Sequence, residues 1–153
     1  MILTSMFTRR RALLFTTLLV IAILQTASAA DATGDSMDFP RNALNWHLSG
    51  DAEQLWAHAG EGLRLLAEDV EGLREAANDI REMMGPPSAM LDEQIFVHPE
   101  DDRWRVYVRT ARHARVDEMF WVVIFSPSTS EVQMIMAYPR QTIQTFYPQA
   151  RLP

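Results

Sequence analysis

The side chains able to do proton chemistry lie in the C-terminal half of this 153-residue chain. Tyr107 and Arg109 stand two apart in the run Trp104–Ala111, and Asp92 or Glu93 belongs to the segment expected beside it. A carboxylate near two Arg is held ionised, which makes it a poor base at neutral pH. The same residue types form an ordinary cross-strand ion-pair ladder on a half-exposed sheet face, and this is the reading we favour. No catalytic residue is assigned.

Other chemistry is sparse. The chain has no Gly-x-Ser-x-Gly, no His-Glu-x-x-His, no phosphate-cradling Gly loop and no Gly-x-Gly-x-x-Gly. Its four His are His47, His58, His98 and His113. His58 and Glu61 are one helical turn apart, but two ligands are not a metal site, and neighbours at that spacing read as a surface pair. His98 falls in an acidic turn and His113 in a loop, so both are expected to be solvated. Trp46 and Trp56 read as core or rim residues. We expect no metal and no cofactor.

These residues need a sheet to hold them. In Trp104-Arg105-Val106-Tyr107-Val108-Arg109 the side chains alternate, so Trp104, Val106 and Val108 share one face and Arg105, Tyr107 and Arg109 the other. Met119–Ser126 has no polar face and is rich in β-branched and aromatic residues, which predicts a strand needing cover on both sides. Val132–Pro139 is nearly as apolar. Ser126 to Ser130 is turn chemistry. Ser88–Val97 supplies a fourth strand, and His98 to Asp102 a turn.

The N-terminal half reads as helices. Asp38 caps a first one reaching Leu48, and Ser49-Gly50 stops it. Asp51, with Gln54 three residues on, starts a second, along which Leu55, Ala59, Leu63 and Leu66 fall at helical spacing. A third begins near Asp69, with Val70, Leu73, Ala77, Ile80 and Met84 as its apolar stripe, and ends at Gly85-Pro86-Pro87. Gln141 to Phe146 suits a short strand or a packed tail. Ahead of all this, Arg9-Arg10-Arg11, the apolar run Ala12–Leu24 and Ala27-Ser28-Ala29 have the order of a secretory signal peptide cut after Ala29. The expected division is therefore signal peptide 1–29, leader 30–37, helix-plus-sheet domain 38–140 and tail 141–153. The Arg cluster leaves Sec and twin-arginine export both open.

Composition narrows the partners. Loss of residues 1–29 removes three Arg and no acid, taking the formal charge from −6 to −9. An acidic chain argues against nucleic acid and against an anionic membrane surface. The absence of Cys excludes disulfides and thiolate metal sites. The fold class expected is α+β, with N-terminal helices packed on a curved antiparallel sheet of about four strands.

The phrase Ser49-Gly50-Asp51-Ala52-Glu53-Gln54-Leu55-Trp56 resembles a helix start found in nuclear-transport-factor-2-like (cystatin-like cone) domains, specifically an uncharacterised subfamily of bacterial exported proteins. The strands Trp104–Arg112, Phe120–Phe125 and Glu131–Met136 look like that family's closing meander. Where members tend to carry a Gly-containing turn, this chain has Ser128-Thr129-Ser130, and its Arg112–Asp117 loop also lacks Gly. The resemblance implies a cone-like sheet wrapped by helices, often dimeric, with a hollow that holds a small ligand. Enzymes of this shape use a carboxylate or His in the hollow with a Tyr facing it, and Tyr107, Arg109 and Asp92 or Glu93 are the matching ingredients.

The function expected is an exported, periplasmic or secreted, non-enzymatic module that binds a small hydrophobic ligand or a second protomer through its sheet. Tyr107, Arg109, Trp121 and Met134 are the ligand-binding candidates, and Phe125 and Met136 the interface candidates. Two alternatives stand beside it: an isomerase- or dehydratase-like enzyme with an acid–base pair in the hollow, and an envelope protein that only contacts other proteins.

Overall fold

The structure, a computed structural model, describes residues 35–153. The expected signal peptide and the leader up to residue 34 lie outside the described residues. The fold is α+β: α1 (Asp38–Ser49), α2 (Ala52–Ala57), α3 (Glu61–Ala67) and α4 (Val70–Met84) precede β1 (Pro87–Val97), β2 (Arg105–His113), β3 (Met119–Ser126) and β4 (Glu131–Tyr138), and α5 (Arg140–Phe146) follows. The strands form one antiparallel sheet in the order β1-β2-β3-β4. The all-apolar segment is β3, an inner strand, as its composition requires.

Alternation sorts the sheet into two cores. Tyr107, Trp121, Val123, Phe125 and Val132 face the N-terminal helices and meet Ala43, Leu44, Leu55, Leu73 and Met84. Val106, Val108, Phe120, Val122 and Ile124 face the other way and pack with Phe96, Ile143 and Tyr147. The second face is thus covered by α5 and the residues after it. Gln141 to Phe146 is helical, not a strand: Pro139 leaves the sheet in extended backbone, and Tyr147 N–H closes the helix on the Ile143 carbonyl at 2.8 Å. Ile143 is fully buried, so this terminal segment is part of the core.

Local signals explain most boundaries. Asp51 accepts from Gln54 N–H at 3.4 Å and Asp69 from Gly72 N–H at 2.8 Å, both as N-caps. Asp38 is not the cap of α1 but lies in its first turn, where its N–H donates to Ser36 Oγ at 3.2 Å. The helix begun at Asp51 does not continue to Leu66. It breaks at His58-Ala59-Gly60 because that backbone joins the sheet: Val132 N–H donates to the His58 carbonyl and Gly60 N–H to the Val132 carbonyl, both at 2.8 Å. Two residues on, a Cβ at Gly62 would sit 2.8 Å from the Gln133 carbonyl oxygen, so the close approach of α3 to the β4 backbone favours glycine there. Leu66, on the separate α3, is exposed.

Candidate functional site

The polar cluster is built where two side chains of α1 reach the β1–β2 pair. Register places Glu93 opposite Arg109, and Tyr107 follows two residues away on the same face of β2. Arg41 and Asn45, one turn apart on α1, reach down to them. Glu93 Oε2 accepts from Arg41 Nη2 at 2.8 Å and from Arg41 Nε at 3.2 Å. Its Oε1 accepts from Arg109 Nε at 3.0 Å and from the Tyr107 hydroxyl. Arg109 Nη2 lies 3.0 Å from the same oxygen, and Nη1 donates to Asn45 Oδ1 at 3.0 Å. The Glu93 and Arg109 side chains retain 9% and 11% of their exposure, and Arg41 39%.

The electrostatics follow from this crowding. Burial pushes the Glu93 carboxyl up, but hydrogen bonds from Arg41 and Tyr107 and the charge of Arg109 outweigh it and bring it down to about 2. The Tyr107 phenol is pushed up by burial and by its bond to Glu93. At neutral pH the carboxylate therefore has little affinity for a proton, and the phenol holds its own. The arrangement is a staple joining α1, β1 and β2. The cross-strand pair is buried rather than half-exposed, because Arg41 and Asn45 of α1 close over it.

Trp121 lies opposite Arg109 on the next strand, so Tyr107, Arg109 and Trp121 share the helix-facing side. Trp121 Nε1 donates to His113 Nε2 at 2.9 Å, and His113 Nδ1 donates to the Gly85 carbonyl at 3.1 Å. His113 thus donates from Nδ1 and accepts at Nε2, at the buried end of β2, and is not a solvated loop residue. The His47 and Trp121 rings meet edge to face with centroids 5.9 Å apart, and His47 Nε2 has no partner among the described residues. Burial, with help from Arg81, lowers His47 to about 4.

No family model, curated protein or solved structure matches this chain. Its chemistry is read from its own geometry.

The remaining candidates are dispersed. Met134 and Met136 are on the opposite face of the sheet, paired with Ile124 and Val122. Met136 Sδ accepts from the Tyr138 hydroxyl at 2.9 Å. Phe125 is buried on the helix side, 5.8 Å from the Phe39 ring. Asp92 is outside the cluster, 3.9 Å from Arg151 Nη2. His58 stacks on Trp46 at 5.2 Å and its Nδ1 is 3.2 Å from the Ser130 carbonyl, so it ties α2 to the β3–β4 turn. His98 is partly buried beside Tyr147, and burial lowers its pKa against the opposing pull of Glu100 and Asp101. Among the described residues no group of three or more His, Cys, Asp or Glu is placed to hold a metal. No helix among them is long and apolar enough to cross a membrane.

Sequence reasoning missed Arg41 and Asn45. Their one available signal was the i,i+4 spacing of polar side chains beside the apolar Leu44–Leu48 stripe.

Proposed function

We propose that the chain is an exported, non-enzymatic binding module of nuclear-transport-factor-2-like type, which takes a small hydrophobic ligand or a second protomer through its sheet. One observation carries the non-enzymatic part: Glu93, the carboxylate best placed to be a base, is saturated by Arg41, Tyr107 and Arg109 and held at about 2. A general base works best with its pKa near the working pH. The isomerase- or dehydratase-like reading needs the reverse of what surrounds Glu93. Helices preceding a four-strand antiparallel meander support the reading at the level of the fold.

Native mass spectrometry of the protein recovered from the export compartment tests this reading. The expected result is a chain starting at Ala30 that carries a small apolar molecule or a second copy. A bare monomer starting at Met1 would refute it. Exposed Leu65, Leu66, Met83 and Met90 favour, as a second reading, contact with another envelope protein. That reading predicts capture of a protein and no small ligand.

A further inference from the structure

The two edges of the sheet are treated differently. At the β4 edge the His58-Ala59-Gly60 backbone bonds to Val132, and Gln133 Oε1 accepts from Gly62 N–H at 3.0 Å. At the other edge lies β1, whose one strand neighbour among the described residues is β2. The later half of β1 is engaged, Glu93 in the staple and Gln94 with the backbone of Arg151. The earlier half is open. Pro87 to Leu91 are all exposed, Met90 at 60% and Leu91 at 37%, and among the described residues no backbone bond joins them to anything but β2. Edge strands are commonly guarded by charged side chains, and Ser88-Ala89-Met90-Leu91 carries none. The register with β2 shifts twice here and leaves Ser88 and Leu91 without a partner on that strand.

Arg112 stands beside that stretch, opposite Ala89 on β2. It is exposed, and among the described residues it is the one Arg whose side chain has neither a hydrogen bond nor an ion pair. The others each hold a carboxylate, a carbonyl or a side-chain amide. Ala89, the residue between Arg112 and the open edge, has only a methyl group. Asp92 is opposite Thr110, two residues from Arg112, so Asp92 and Arg112 share a face of the sheet. The edge thus presents an uncharged stretch with an acid at one end and an unpaired cation at the other.

We propose that the open half of β1 pairs antiparallel with the same stretch of a second copy, joining the two sheets edge to edge. Such a contact is isologous, so each interaction forms twice. Pro87 has no N–H to donate and ends the ladder on one side, and repulsion between the two Asp92 side chains keeps them from facing each other on the other side. A ladder running from Ser88 to Asp92 has its two-fold axis at Met90, so Ala89 faces Leu91 of the second copy and Ser88 faces Asp92 of the second copy. An axis normal to the sheet keeps each face continuous, which brings that Asp92 to the face and level of Arg112. Their backbones are then two strand spacings apart, about 10 Å, which an Arg and an Asp side chain span together over the Ala89 methyl group. A strand from another protein would need an acid of its own at this level; β1 supplies one. The inference rests on the binding-module reading in its second-protomer form and moves the contact from the face of the sheet to its edge.

The chain has no Cys, so Met90→Cys places a unique thiol at the two-fold axis. Directly opposed residues of an antiparallel pair have Cα atoms about 4.5–5.5 Å apart, a separation a disulfide spans. Diamide oxidation is run at physiological salt, which screens the net negative charge. Met90→Cys should then form a disulfide-linked dimer about tenfold faster than Met83→Cys, whose parent side chain on α4 is just as open, at 66%. Charge exchange gives a second arm. The wild-type chain should sediment as a dimer, and the Arg112→Asp and Asp92→Arg chains each as a monomer, since each of these opposes like charges twice. Their equimolar mixture should restore the dimer, because both pairs are again of opposite sign. Arg112 is exposed and the Asp92 side chain keeps 32% of its exposure, so neither change touches the core, and far-UV circular dichroism checks that both variants fold. Equal linking of the two Cys variants overturns the proposal, and so does a mixture that stays monomeric. A monomer whose introduced thiol at position 90 resists maleimide marks another segment of the chain as the occupant of the edge and overturns it too. A monomer that carries a small apolar molecule overturns the pairing while leaving the binding-module reading standing.

Discussion

Replacing Glu93 with Gln keeps the shape of the side chain and removes its charge. Arg109 then faces the site with Asn45 and the Tyr107 hydroxyl as its remaining partners, and Arg41 loses its inner one. The Glu93 carboxyl sits at about 2 against an ordinary 4.5. That gap of about 2.5 pH units corresponds to roughly 3 kcal/mol. Water reaches Arg41, so part of this is screened, and the loss is about 2 kcal/mol. A cation stranded by removal of its partner adds to the loss, and about 2–3 kcal/mol is the expected total.

Urea unfolding at pH 7, followed by Trp fluorescence, measures that difference. A second readout separates charge from packing. A carboxyl depressed in the folded state stabilises it above the unfolded pKa and ceases to as pH falls through the folded one. The wild-type chain should therefore lose this contribution between pH 4.5 and about 2, and the Gln variant should lack that limb. A variant within about 0.5 kcal/mol of wild type at pH 7, or one with an unchanged acid limb, refutes the staple.

Three further outcomes are expected. His47 is neutral and buried, so acidification from pH 6.5 to about 4 should remove up to about 3 kcal/mol of stability, and His47→Leu should flatten this limb in the same urea titrations. The Thr110 hydroxyl is buried without a partner among the described residues, so Thr110→Val, which keeps the branched shape, should raise stability by about 1 kcal/mol; a loss of that size would mean the hydroxyl is satisfied. Ser130 stands at φ 53°, in the left-handed region that favours glycine, and Ser130→Gly should raise the thermal midpoint by a few degrees, about 0.5–1 kcal/mol.

Periodic, local features were legible in the sequence. β3 has no polar side to present to water, so it had to be an inner strand. The α4 stripe and the Asp51 and Asp69 caps depend on neighbours within a turn or two. Features made by distant partners were hidden. The break at Ala59 exists because Val132, far along the chain, takes up its hydrogen bonds. α5 has only 7 residues, too few to show a period, and it is helical because the apolar face under it needs cover. Arg41 joins Glu93 across 52 residues, and nothing near either one announces the other.

The staple also bears on why the sheet has one register. Sheet side chains alternate, so a slip of one residue between β1 and β2 turns every β1 side chain to the other face. Glu93 would then lie among Val106, Val108 and Val122, an apolar layer in which neither Arg41 nor Arg109 can reach it. An uncompensated buried carboxylate costs several kcal/mol, a large share of the stability of a domain this size. The many apolar residues of β1 through β4 could pack tolerably in more than one alignment, since both faces of the sheet are hydrophobic. A single Glu with two Arg and a Tyr cannot. On this argument Glu93 is held where it is for the alignment it enforces, and Glu93→Gln should broaden the amide spectrum of β1 and β2 even under conditions where the variant remains folded.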